Sequence, residues 1–361
     1  MKTDVYIVKC GSYDEADEKI GELFSMMGGI GKFAKSGEKI TLKVNLLSAA
    51  EPEKAVSTHP TVVAAVGALA KKEGAIPLIT DSPGAGFRYS EGTLEKVYET
   101  CGMNDAAKRA GISVNMDTGS QDVSNPKGKV LKKMKVINPV LNADGVFNLC
   151  KMKTHMFMQM TGAVKNSFGV IPGMGKVSYH AKMHKKENFA DMLLDLSLFV
   201  SPRISIMDAV LAMEGDGPGP SGTPRQVGLL IASEDPLALD VVAGEIMGLP
   251  RALNPVLLAA DKRGMKPTKI DEINVIGEDL SAIKISDYKF TKTTTKVNKR
   301  FPAIVKENCI GCGACKDACP QEAITLQTQG DKKNAEIDTS KCIRCYCCHE
   351  MCQNDAVTVK L

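Results

Sequence analysis

Cys309-Ile-Gly-Cys312-Gly-Ala-Cys315-Lys-Asp-Ala-Cys319-Pro320 and Cys342-Ile-Arg-Cys345-Tyr-Cys-Cys348-His-Glu-Met-Cys352 decide how the end of the chain folds. Both stretches follow the run C-x2-C-x2-C-x3-C. Thiolates with two residues between them, on a tight loop, reach three corners of one cubane. The fourth, carried a turn further on, reaches the neighbouring cubane. The spacing therefore assigns Cys309, Cys312, Cys315 and Cys352 to one [4Fe–4S] cluster, and Cys342, Cys345, Cys348 and Cys319 to a second. A zinc site wants longer spacers between ligand pairs, and a disulfide framework wants an oxidising compartment. Eight cysteines in this register favour neither. Cys347 is a ninth thiol inside the second run and reads as a bystander. Gln353 stands where a proline is expected after the last ligand.

The remaining composition is that of an ordinary globular chain. Its 361 residues suffice for two or three domains, and 43% hydrophobic residues can fill a core. Nine of the twelve cysteines follow residue 308, which suits a reducing cytoplasm. The N-terminal residues alternate like a strand and lack the apolar run of a signal peptide. No apolar stretch approaches the ~18 residues of a membrane helix. The expectation is a soluble, cytoplasmic protein without a membrane partner. The formal charge of +4 is concentrated in residues 281–300, where Lys284, Lys289, Lys292, Lys296, Lys299 and Arg300 face only Asp287. Residues 281–301 read as a solvated basic linker, and no nucleic-acid motif accompanies them.

Upstream of that linker, strand and helix patterns alternate. Strands are expected near 3–8, 39–46, 75–81, 145–150, 204–208, 227–232 and 273–277. Helices are expected near 14–34, 60–74, 91–110, 189–200 and 236–247, and residues 112–150 read as strand-rich. The order implies an α/β domain over residues 1–280, with a mostly parallel sheet and covering helices. Residues 302–361 form a small α+β ferredoxin domain carrying the two clusters. Ligands of such a sheet lie outside the carboxyl ends of its strands, where Lys43, Asn45, Asp81, Lys151, Lys153 and Asp208 are placed.

Between Asp144 and Glu187 there is no acidic residue, but there are seven lysines and three histidines. Thr161-Gly-Ala-Val-Lys165-Asn166 and Ile171-Pro-Gly-Met-Gly175-Lys176 punctuate this window with glycine. Ammonium groups and backbone N–H donors together suit an anionic ligand, a carboxylate or phosphate. A solvated basic face is the competing reading. Met213-Glu214-Gly215-Asp216-Gly217-Pro218 reads as a loop, whose carboxylates would pair with the lysines or hold a metal with His155, His180 or His184. Nucleotide motifs are absent; flavin or an additional metal stands as an alternative that no motif supports.

Lys43-Val-Asn45, Thr58-His59-Pro60, Lys151-Met-Lys153-Thr-His155, Thr161 to Asn166, Glu214 to Pro218, Asp235 and Asp240 together resemble the domain-of-unknown-function family 362. The resemblance spans residues 1–275, and its members often carry a C-terminal two-cluster ferredoxin domain. It implies no assigned reaction. The residues themselves support a redox enzyme in which the clusters relay electrons from an unidentified redox partner protein. Lys43, Asn45, Lys151, Lys153, Lys165 and Asn166 would hold an anionic small molecule, and His155 or Asp216 would handle protons. The alternative is a non-enzymatic electron carrier or sensor whose α/β domain is a docking module.

Overall fold

The computed structural model describes residues 2–84, 86–294, 300–329 and 332–359. Strand β1 (Thr3–Lys9) buries Val5 and Ile7 and leads into α1 (Ala16–Met26). The expected helix to residue 34 stops early, because Gly28 and Gly29 adopt φ of +93° and +89°. β2 (Lys39–Lys43), α2 (Pro60–Lys72) and β3 (Ile76–Thr80) follow as expected, with Pro60 opening the helix. The expected helix over 91–110 is two, α3 (Glu91–Thr100) and α4 (Met103–Ala110), parted at Gly102. The strand-rich region resolves into β4 (Ser113–Val114), a separate hairpin of β5 (Ser120–Ser124) and β6 (Lys133–Ile137), the short α5 (Asn138–Leu141) and β7 (Gly145–His155). Every residue of β7 is buried. Such a run is what a central strand covered on both faces requires.

β8 (Gln159–Thr161) folds back on β7, and α6 (Ala163–Asn166), α7 (Gly175–Lys182) and α8 (Lys186–Val200) complete the lysine-rich window. The long hairpin of β9 (Ile204–Gly215) and β10 (Gly222–Ser233) corrects the expected loop, since Met213, Glu214 and Gly215 belong to its first strand. α9 (Pro236–Met247), capped by Asp235, then α10 (Pro255–Lys262), β11 (Ile273–Gly277) and α11 (Leu280–Ile283) finish the body.

The main sheet runs β11-β1-β10-β9-β7-β2-β3-β4, with β8 attached to β7. β2 pairs in parallel with both β3 and β7, and β7 pairs in parallel with β9. The chain leaves β2 for β3 on one side and later returns to β7 on the other. That reversal opens a crevice at the carboxyl ends of β2 and β7. One face of the sheet packs on α1, α2 and α4, the other on α8, α9 and α10.

The basic segment after α11 is not a solvated connector where it is described. Tyr288 is 6% exposed and donates to the Met213 carbonyl at 2.8 Å, and Thr293 donates to the Met156 carbonyl at 2.5 Å. Lys296 and Lys299 lie outside the described residues. The C-terminal unit pairs β12 (Pro302–Ile304) with β15 (Val357–Val359), and β13 (Ile324–Gln329) with β14 (Lys332–Ile337). Short helices α12 (Ala314–Asp317) and α13 (Cys347–Met351) lie within the two cysteine runs, each ahead of the last cysteine of its run.

Gly169 closes the crevice from above. A Cβ there would collide with Asp81 Oδ1 and lie 2.5 Å from Lys43 Nζ, whereas a Cβ on Gly244, inside α9, meets nothing within 4 Å. Gly169→Ala is therefore expected to cost about 1–3 kcal/mol by overpacking. Gly244→Ala should be neutral or stabilising by up to about 1 kcal/mol. Thermal unfolding of the two variants checks the contrast.

Candidate functional site

The lysines at the sheet's carboxyl edge divide by what their ammonium groups touch. Lys43, at the end of β2, is 1% exposed and pairs with Asp81 at 2.8 Å. Burial pulls the Lys43 pKa down and pushes the Asp81 pKa up, and the mutual attraction opposes both shifts. Lys151 lies 2.6 Å from Asp208 and donates to Tyr13 at 3.0 Å. Tyr13 stacks on His59 at 3.4 Å, and the His59 amide donates to Asp208 at 2.9 Å. This network is a structural tie between β7, β9 and the loop before α2. Lys153 donates to the Val56 carbonyl at 2.6 Å, and burial lowers its pKa to about 7. Lys176 reaches four oxygens, those of Ser82, Pro83 and Ile171, and staples its glycine-rich loop to the end of β3.

Lys165 differs. Among the described residues its ammonium has no hydrogen-bonding partner and no carboxylate at ion-pair distance. Burial lowers its pKa, and the nearby Glu350 carboxylate opposes that shift. Asp240 sets its position by accepting from the Ala163 and Val164 amides at 2.5 and 3.1 Å, which holds the start of α6. Burial raises the Asp240 pKa to about 7. On the next residue, Asn166 donates to Asn148 at 2.7 Å and accepts from Asn45 at 3.1 Å. The asparagines thus lock α6 to the ends of β2 and β7.

Lys165, Asn45, Thr161, His180 and Lys176 line a cavity of about 50 Å³, and Glu350 of α13 closes it. The C-terminal unit therefore supplies a wall of the α/β site. His155 Nε2 lies 3.1 Å from Glu350 Oε1. The two atoms are not aligned for a hydrogen bond, so each is buried without such a partner. His155 Nδ1 accepts from the Phe157 and Met158 amides at 3.1 and 3.2 Å, which leaves the ring proton on Nε2. Burial keeps His155 neutral, and it lowers the His180 pKa to about 4 among Phe157, Phe168 and Phe189. Burial disfavours a charged Glu350, but the facing His155, Lys165 and His180 outweigh it and hold the carboxyl ionised.

In the C-terminal unit, one apolar cavity is lined by Cys309, Cys312, Cys315 and Cys352, and another by Cys319, Cys342, Cys345 and Cys348. These are the two sets that the spacing assigns. The Cys309, Cys319 and Cys352 sulfurs accept from the Ala335, Ala323 and Ala356 amides at 3.4, 3.2 and 3.1 Å. Cys347 lines neither cavity and packs with Val177 and Met351 against the body.

The sequence pattern of the family described as "Domain of unknown function (DUF362)" matches residues 40–245, more than half of the chain. The chain belongs to the domain-of-unknown-function family 362. A 4Fe-4S dicluster domain matches residues 308–356, so the family-362 body is joined to a ferredoxin-type, iron–sulfur electron-transfer domain. The chain is 34% identical over 271 residues to the thylakoid-associated protein sll1697 of Synechocystis sp., covering 74% of this chain and 82% of that protein. It is also similar to the lactate racemase apoprotein of Thermoanaerobacterium thermosaccharolyticum, at 12% identity and a TM-score of 0.44. That similarity covers 68% of this chain and 57% of the racemase chain, little more than half of its length. Among the described residues no helix is long and apolar enough to cross a membrane.

The family-362 body thus brings Asn45, Lys165 and Asn166 to one cavity, with Lys43 behind them. Lys151 and Lys153 are spent on Asp208 and Val56, away from it. Asp216, expected to handle protons, instead binds the basic segment, through the Lys292 amide at 2.8 Å and its ammonium at 3.0 Å. His184 is exposed while His180 is buried, so the two do not form a ligand pair. Among the described residues no three His, Cys, Asp or Glu side chains converge as the ligands of a single ion would. His180, Thr161 and above all Glu350 are the site residues that sequence reasoning did not assign to the pocket.

Two outcomes are expected. Lys43→Ala and Asp81→Ala should each destabilise the protein by about 3–5 kcal/mol, and the double variant by less than their sum, because each single change strands a buried charge. Denaturant titration of the three variants measures this. Cys348→Ala should lower bound iron, while Cys347→Ala should retain the parent's iron content.

Proposed function

We propose that the chain is a ferredoxin-coupled oxidoreductase, in which two [4Fe–4S] clusters relay single electrons to an anionic small molecule at the Lys165 cavity. The observation that carries this reading is the position of Glu350. It walls the cavity, yet it is two residues from both Cys348 and Cys352. Two residues of chain span at most about 7 Å. A cluster ligand and the cavity are therefore close neighbours, and each cluster supplies one-electron transfer when bound.

The two thiol sets differ in exposure in a way that suits a relay. Cys312 is exposed beside Ile310, which is 68% exposed, so the first set faces a redox partner protein. Cys345 and Cys348 of the second set are buried, and Cys345 packs in one cluster with Val177 of the body. Lys165 attracts the anion, the Asn45–Asn166 pair orients it, and His155 holds a proton at Nε2. Twelve cysteines without a disulfide suit a reducing compartment such as the cytoplasm.

The non-enzymatic alternative, a carrier or sensor with the body as docking module, draws on the small volume of the cavity. Reoxidation kinetics separate the two. Dithionite-reduced, anaerobic protein is mixed with small carboxylates and phosphates while cluster absorbance is followed. Lys165→Ala and His155→Ala should keep the parent's iron content and lose ligand-dependent reoxidation by at least about tenfold. If both variants reoxidise like the parent, the site assignment is wrong. If no compound accelerates reoxidation of the parent, the docking alternative stands.

A further inference from the structure

Buried polar atoms without partners are uncommon in folded proteins, and each asks for an explanation. Here they gather at one place. Asn45 Oδ1, Thr161 Oγ1, His180 Nδ1 and Glu350 Oε1 are among the fourteen such side-chain atoms of the described residues, and all four residues line the Lys165 cavity. His155 Nε2, behind Glu350, is a fifth. The body therefore offers as donors the unpaired Lys165 ammonium and the Thr161 hydroxyl, with the His155 Nε2–H behind Glu350, whereas Asn45 Oδ1 only accepts. The C-terminal domain sends a carboxylate toward them.

That carboxylate bears on the charge of any ligand. Lys43 is neutralised by Asp81 at 2.8 Å, and Lys176 is enclosed by neutral oxygens. The cation left for a ligand is Lys165, and Glu350 lines the same cavity. An added anion would face Glu350 across about 50 Å³, room for only a few water-sized groups. Two carboxylates in so small a space repel each other. An anion and Glu350 therefore compete for the same donors.

Resting on the reading of the cavity as an anion site, we propose that it is a carboxylate-binding site for which Glu350 is the internal occupant. A small monocarboxylate takes the place beside Lys165 and His155 that the glutamate now holds, and α13 shifts to release it. The planar, singly charged carboxylate is the class of ligand, because this is the group the cavity already accommodates. Binding and docking are reciprocal: whatever the ligand gains by displacing Glu350, the docking of α13 loses. No bond is made or broken in this exchange.

The test uses the whole iron-loaded protein under anaerobic conditions, titrated calorimetrically with sodium acetate and, separately, with inorganic phosphate. Glu350→Gln removes the competing charge and keeps the side chain's size. It should bind acetate at least about tenfold more tightly than the parent. Adding Lys165→Met should abolish that gain, and phosphate should bind more weakly than acetate to Glu350→Gln. No gain in Glu350→Gln, a gain that survives Lys165→Met, or a preference for phosphate overturns the proposal.

A second measurement covers a Glu350→Gln protein that fails to hold iron. In the parent, saturating acetate should raise hydrogen exchange at the amides of His349, Glu350 and Met351, and unchanged protection there overturns the proposal. Neither measurement involves electron transfer. Tight acetate binding without any effect on reoxidation would reject the oxidoreductase reading and leave this site standing.

Discussion

Glu350 leaves its own domain to end against His155, 3.1 Å from Nε2, with Lys165 and His180 around it. A carboxylate carried into a protein interior loses several kcal/mol of hydration, and only nearby donors and cations repay it. That requirement fixes the register between the ferredoxin-type domain and the body. It also accounts for the packing nearby, where Met351 and Ala318 approach Gly86 and the Glu350 carbonyl approaches Gly219 closely enough to crowd any Cβ. The described part of the basic segment, anchored by Tyr288 and Thr293, ties the end of the body back over the β9–β10 hairpin.

A second constraint explains why so many lysines lie inside. A buried ammonium is tolerated when it is paired or surrounded by oxygens. Lys43 and Lys151 take carboxylates, Lys153 a carbonyl, and Lys176 a shell of four oxygens. These four hold strand ends and loops in place. The asparagine net of Asn45, Asn148 and Asn166 and the Asp240 cap then present Lys165, the one left over among the five, to the cavity. A charge-rich window thus resolves into several structural ties and one poised group.

The legible part of this architecture is the part governed by local spacing. Cysteine intervals are short-range, so both thiol sets were readable, as were β2, α2, β3 and α9 with their proline and aspartate starts. In the 145–186 window Lys165 and Asn166 lie at the cavity, because an unopposed basic stretch with glycines marks backbone packed closely on something. Lys151 and Lys153 lie away from it, because their partners Asp208 and Val56 come from distant segments. Asp216 was misread for the same reason, since its lysine lies 76 residues further on. Glu350 was illegible in principle. Between two cluster ligands it looks like a solvent-facing residue, and only the docking of α13 on a strand end nearly two hundred positions earlier gives it a role.

If two iron–sulfur centres stand in line with the cavity, iron and sulfide analysis with low-temperature EPR will register both. Anaerobically purified, dithionite-reduced protein should hold about eight irons and show a spectrum broadened by two interacting spins. About four irons with a single isolated signal, or zinc in place of iron, would contradict it.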